Sequence, residues 1–105
     1  MTFQQFLEQI SQLIHDGKYE DAIHHLEKHS DEFNDNPDYY QHLAMLYIKN
    51  ENREKAKHVL EKAVLLAPDN AVSQNNYGVV LYQDQEYEAS RKCFETAVVL
   101  NNRYV

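Results

Sequence analysis

An all-α fold, an α-solenoid of three antiparallel helix-turn-helix hairpins, is predicted by three features of the sequence. Small residues recur at Ala22, Ala56 and Ser90, each 34 positions after the last, and Leu26, Leu60 and Phe94 follow four residues beyond them. Inside each unit the apolar residues return every three or four positions, which is the spacing of helices with one buried stripe. Glycine and proline occur only twice each in 105 residues, so little in the chain interrupts a helix. A period of this length points to stacked hairpins before any single element is assigned.

The first unit is expected over residues 3–36. Thr2 and Gln5 make a capping-box sequence in front of a helix over 3–15, on which Phe6 and Leu13 belong to the recurring pattern. Asp16-Gly17 lets that helix end in a left-handed residue, and a second helix over 19–33 carries Ala22 and Leu26. Asn34-Asp35-Asn36-Pro37 is a pause in which Pro37 suits the first turn of a helix capped by Asn36. The second unit, 37–70, holds a helix over 37–49 with Leu43, Tyr47 and Ile48, and one over 53–66 with Ala56, Val59, Leu60, Ala63 and Val64. Between them Asn50 and Asn52 can each turn left-handed or cap the next helix. After the pause at Ala67-Pro68-Asp69-Asn70, the third unit, 71–104, is expected to form helices over 71–83 and 87–100, with Asp84 starting the turn.

Residues 1–105 are expected to fold as one domain, since single domains cluster around ~100 to 150 residues. One hairpin cannot stand alone. Ordering each residue costs about 1.5 kcal/mol of conformational entropy, and a lone hairpin buries too little apolar surface to offset it. Stacking supplies the continuous core. Small residues at Ala44 with Ala56, and at Gly78 with Ser90, allow the two helices of a hairpin to approach closely.

The formal net charge of −7 is concentrated at one end: residues 1–36 carry eight acids against two bases, 37–70 five against five, and 71–105 four against three. Such a field repels phosphate backbones, and no nucleic acid partner is expected. Apolar runs such as Ala63 to Ala67 fall far short of the ~18 residues of a membrane span, and polar Thr2, Gln4, Gln5 and Glu8 follow Met1, so neither a membrane nor an export route is expected. Cys93 is the only cysteine, which excludes an internal disulfide and a thiolate zinc site and fits a reducing, cytoplasmic setting.

At Tyr40, Leu43, Ala44, Tyr47, Ala56, Leu60, Ala63 and Pro68 the chain resembles the tetratricopeptide repeat family. Tyr77, Gly78, Leu81, Ser90, Phe94 and Ala97 repeat the pattern, with Asn102 in place of the proline. Phe6, Leu13, Gly17, Tyr19, Ala22 and Leu26 repeat it again, although Ile10 and His29 stand where smaller residues are usual. The resemblance implies a right-handed superhelix and a non-catalytic scaffold that binds a peptide or helical segment of another protein. By the same resemblance the first helix of each hairpin lines the concave groove. The candidate peptide-binding residues are then Leu7 and Ser11; His42, Met45 and Lys49; and Asn75, Asn76, Val79 and Tyr82. One subset of the family grips a C-terminal carboxylate with cationic and amide side chains. The matching positions here are Leu7, Ser11, His42, Val72 and Asn76, so that clamp is absent.

No cofactor is expected. His25 and His29, four apart on one helix, could share a metal, but no third ligand is obvious and they read as surface or packing histidines. Carboxylates such as Asp31-Glu32, or Glu86 with Glu88, sit at exposed helix ends that do not shift a carboxyl's pKa, and there is neither a glycine-rich phosphate loop nor a nucleophile elbow. The chain is therefore not expected to be an enzyme. The last helix bears Phe94, Val98, Val99 and Leu100 where a helical stack needs a polar cap. Either further chain covers them or another copy does. The rival to peptide capture is thus a structural module that self-associates, as a homo-oligomer, through this C-terminal face or by hairpin exchange.

Overall fold

The computed structural model describes residues 1–102, and among them it contains seven helices and no strand: α1 (Phe3–His15), α2 (Tyr19–Lys28), α3 (Ser30–Phe33), α4 (Pro37–Lys49), α5 (Arg53–Leu66), α6 (Ala71–Gln83) and α7 (Tyr87–Asn102). Helices α1, α4, α5 and α6 lie on the expected residues. α7 runs two residues further than expected, and positions 103 and 104 of the third expected unit lie outside the described residues. The architecture is an all-α helical-hairpin solenoid in which α1 pairs with α2, α4 with α5 and α6 with α7, while α2 meets α4 and α5 meets α6.

The helix expected over 19–33 is broken at His29, whose backbone leaves the helical region (φ −105°, ψ 19°). The imidazole lies 4.7 Å from the Phe6 ring, and its Nδ1 is 3.0 Å from the His25 carbonyl oxygen. The short turn that follows carries Phe33 into an aromatic cluster, 5.2 Å from Phe3, 5.6 Å from Phe6 and 6.1 Å from Tyr39. A bulky residue where a small one would let the helices close up is accommodated by bending the second helix around it.

All three hairpin turns use one backbone solution. The N–H of Lys18 donates to the Leu13 carbonyl at 2.8 Å and that of Gly17 to Ile14 at 3.1 Å; Asn52 to Tyr47 (2.8 Å) with Glu51 to Ile48 (3.0 Å), and Glu86 to Leu81 (2.9 Å) with Gln85 to Tyr82 (3.0 Å), repeat the pair. This is the Schellman arrangement, and its pivot residue must be left-handed. The pivots are Gly17 (φ 75°), Glu51 (φ 61°) and Gln85 (φ 65°). The left-handed residue of the second turn is therefore neither Asn50 nor Asn52; Asn52 instead caps α5 by accepting the Lys55 N–H at 3.2 Å. At the other ends, Thr2 forms the capping box with Gln5, Asn36 accepts the Asp38 N–H at 2.9 Å, and Asn70 accepts that of Ser73 at 3.1 Å. Caps as well as core residues recur every 34 positions.

The core runs without interruption from Phe6 and Ile10 through Leu26, Tyr39, Leu46 and Leu60 to Val80. Ala22, Ala56 and Ala63 are wholly buried, and the buried Ser90 hydroxyl donates to the Gly78 carbonyl at 2.8 Å, so the small residues do mark close helix approach. Polar ties join successive hairpins. The Tyr39 hydroxyl donates to the Leu26 carbonyl (2.8 Å) and that of Tyr47 to Glu27, and burial pushes the Tyr39 phenol up to about 12. Arg53 and Lys57 on α5 reach across to Asp84 at 3.0 and 3.2 Å, and Lys57 also meets Glu86. Hydrogen bonds from Lys57 to Glu86, then to Asp84, hold its ammonium above the usual lysine range.

Candidate interaction surface

Helices α1, α4 and α6, the first of each hairpin, lie side by side. The Phe3 ring on α1 sits 5.5 Å from His42 on α4, and the Gln41 amide donates to the Ser73 hydroxyl of α6 at 2.8 Å. Because the period is 34, equivalent residues form rows across these helices: Leu7, Gln41 and Asn75; Glu8, His42 and Asn76; Ser11, Met45 and Val79. Residues four and seven apart on a helix share a face, so each row continues into the next down the same surface.

The candidate residues divide by environment. Met45 and Val79 each keep 40 % of their surface exposed, 34 positions apart on neighbouring helices. Asn75, Lys49 and Ser11 are exposed, with the Ser11 hydroxyl donating to the Glu8 carbonyl at 2.8 Å. Asn76 and His42 are half-buried, the His42 Nδ1 lying 2.8 Å from the Asp38 carbonyl oxygen. The Lys49 ammonium stands 5.7 Å over the Tyr19 ring. Leu7 packs partly into the core. Tyr82 lies apart from the others, edge-on to Tyr87 at 5.2 Å.

Tyr82 and Tyr87 belong to a second feature, a cleft of about 560 Å³ at the C-terminal end of the stack, lined also by Ser90, Arg91, Phe94, Glu95, Val98 and Val99. Val98 and Val99 are 57 % and 60 % exposed, as the sequence led one to expect, but Leu100 is buried, because it falls on the opposite stripe of α7. Tyr87 and Arg91 were not anticipated there. Their positions 34 residues after Arg53 and Lys57 are the signal that points to them.

Among the described residues no three His, Cys, Asp or Glu side chains converge as a metal site would need, and every buried side-chain polar atom has a hydrogen-bond partner. No helix is long and apolar enough to cross a membrane. Burial raises the pKa of Cys93, the opposite of what activates a thiol.

Comparison with known proteins agrees with this architecture. A family model for the tetratricopeptide repeat matches residues 13–75. Endoplasmic reticulum (ER) membrane protein complex subunit 2-A of Xenopus laevis is 32 % identical over 89 residues, covering 82 % of this chain and 30 % of that protein, and subunit 2 of Xenopus tropicalis matches to the same extent. The chain thus spans about a third of the length of these curated relatives. Among solved structures, the Sgt2 tetratricopeptide domain from Aspergillus fumigatus superposes with a TM-score of 0.83 at 17 % identity, over 94 % of this chain and 66 % of that one. The second such domain of Spaghetti (RPAP3), bound to the HSP90 peptide SRMEEVD, gives 0.80 at 22 % identity over 89 % and 86 %. At these identities the structures speak to the fold alone.

Proposed function

This chain belongs to the tetratricopeptide repeat family, and from that premise we propose that it is a non-catalytic scaffold binding a peptide or helical segment of another protein on the surface of α1, α4 and α6. One observation carries the reading: Met45 and Val79 stay partly exposed side by side on adjacent helices, ringed by His42, Asn75, Asn76 and Lys49. Apolar anchors within a polar rim are what a small interface offers a ligand, and the Asn76 side-chain amide can both donate to and accept from a peptide backbone. Leu7, Ser11, His42, Val72 and Asn76 offer no cationic clamp, so the reading does not extend to capture of a C-terminal carboxylate of the kind seen in the HSP90-peptide complex. A cytoplasmic setting fits the single cysteine, and a place within a multi-subunit assembly, as the Xenopus relatives have, is compatible with the same surface.

The test is affinity capture with the full chain beside a variant carrying Met45→Ala, Asn76→Ala and Val79→Ala, each partner then being titrated as a purified protein. Partners whose affinity drops about tenfold or more with the variant support the groove. Partners retained equally by both chains would refute it.

A further inference from the structure

The C-terminal end of the stack presents the surface that the two preceding hairpins use to hold a neighbour. Leu26 and Leu60 are wholly buried, whereas Phe94, the third residue of that series, is only half-buried. Tyr19 and Val64 are half-buried, whereas Tyr87 and Val98, at the same places in the third hairpin, are exposed. On the first two faces the cover is a single helix, α4 against α2 and α6 against α5. The covering helices share a pattern. Tyr39, Leu43 and Leu46 in α4, and Ser73, Tyr77 and Val80 in α6, lie at i, i+4 and i+7 and are buried or half-buried. In α6 a carboxylate follows at i+11, where Asp84 meets Lys57.

Arg91 is the counterpart of Lys57, 34 residues on, and it lines the open cleft. Its partners among the described residues are Glu88 (3.3 Å) and Glu95 (3.7 Å) on its own helix, all well exposed, so they hold it weakly. A head-to-tail second copy does not fit the cleft. Its incoming helix would be α1, in which the three positions are Gln5, Gln9 and Gln12, all exposed, with Gln12 bonded to Asp16 at 2.9 Å.

We propose that the cleft bounded by Tyr82, Tyr87, Phe94, Val98 and Val99 seats one amphipathic helix of another protein, carrying apolar residues at i, i+4 and i+7 and a carboxylate at i+11 that pairs with Arg91. The site is separate from the groove of α1, α4 and α6 and stands or falls independently of it. Its chemistry is that of a repeat completed in trans: the incoming helix buries the aromatic and valine side chains of α7, and the ion pair sets its register.

The probe is a fluorescent synthetic peptide copying residues 70–86, which carries the pattern through Tyr77, Val80 and Asp84, titrated into the full chain while the methyl signals of Val98 and Val99 are followed. Saturable binding that shifts those methyls is expected. Val98→Asp should weaken it about tenfold, and Arg91→Glu about fivefold at low salt. Peptide bearing Asp84→Lys and Glu86→Lys should recover most of the Arg91→Glu loss. Val98 is exposed, so the Val98→Asp chain should keep its helical circular dichroism. The Met45→Ala, Asn76→Ala, Val79→Ala chain should bind the peptide unchanged, which separates this site from the groove. The proposal is overturned by absence of saturable binding, by affinity indifferent to both Val98→Asp and Arg91→Glu, or by methyl shifts confined to α5, where the peptide would merely be displacing α6. Broadening of the valine signals with protein concentration alone, the mark of two copies pairing face to face, would overturn it too.

Discussion

Glu51 and Gln85 hold a left-handed backbone, which costs an L-residue about 1–2 kcal/mol, because the turn they pivot demands it. Gly17 meets the same demand without a Cβ, and nothing lies within 4 Å of where one would be. Glu51→Gly and Gln85→Gly should therefore each raise stability by about 0.5–1 kcal/mol, additively because the sites are far apart, while Gly17→Ala should lower it by a similar amount. Urea midpoints of the four chains measure this; glycine variants that melt no later than the parent would mean the turns are unstrained. The pivots were legible, though not from residue type. Asn50 and Asn52 draw attention as left-handed formers, but adding 34 and 68 to Gly17 leads to Glu51 and Gln85. Gln74 teaches the converse: it reads as a lapse in the series of Phe6 and Tyr40, yet its amide donates to the Pro68 carbonyl at 2.9 Å just as the Tyr40 hydroxyl donates to Asn34 at 2.7 Å. The position keeps a tether to the preceding turn, and chemical class alone conceals it.

Between elements, the closest approach lies where α6 crosses α7. A Cβ on Gly78 would stand 2.9 Å from Cε1 of Phe94, closer than packed atoms tolerate. The same two positions one unit earlier hold Ala44 and Leu60, both buried, so a smaller partner leaves room for a methyl. Gly78→Ala alone should cost about 1 kcal/mol, overpacking outweighing the gain in helix propensity. In a Phe94→Leu background the same change should be neutral or stabilising, because it rebuilds the Ala44 and Leu60 pairing. A double-mutant cycle by thermal melts tests this, and a coupling below about 0.5 kcal/mol would mean that the two sites do not compete for space. At this scale the periodicity located nearly every helix, since apolar spacing and caps agree. The break at His29 escaped it because it depends on the ring of Phe6, 23 residues away, and not on any local turn signal.

The whole stack is asymmetric: α1 turns glutamines outward where inner helices bury tyrosine and leucine, and α7 leaves valines bare. The period reveals the stack and, read in columns, both of its ends. It does not reveal the ligand, because groove residues such as Met45 and Asn76 are set by a partner and not by the packing that repeats. Gln5, Gln9 and Gln12 act on this view as a stop on self-assembly. Gln5→Tyr, Gln9→Leu and Gln12→Leu together would give α1 the side chains of Tyr39, Leu43 and Leu46, while Asp16, the counterpart of Asp84, would face Arg91 of the next copy. Such a contact is head-to-tail and need not close, so it should build open chains. Light scattering should record a mass that rises with concentration well beyond that of the unsubstituted chain. Adding Val98→Asp, which leaves the new N-terminal face intact but charges its receptor, should return the mass to that of the parent. If the triple variant gains no mass, or gains it regardless of Val98→Asp, then the terminal face does not accept helices as the inner hairpins do.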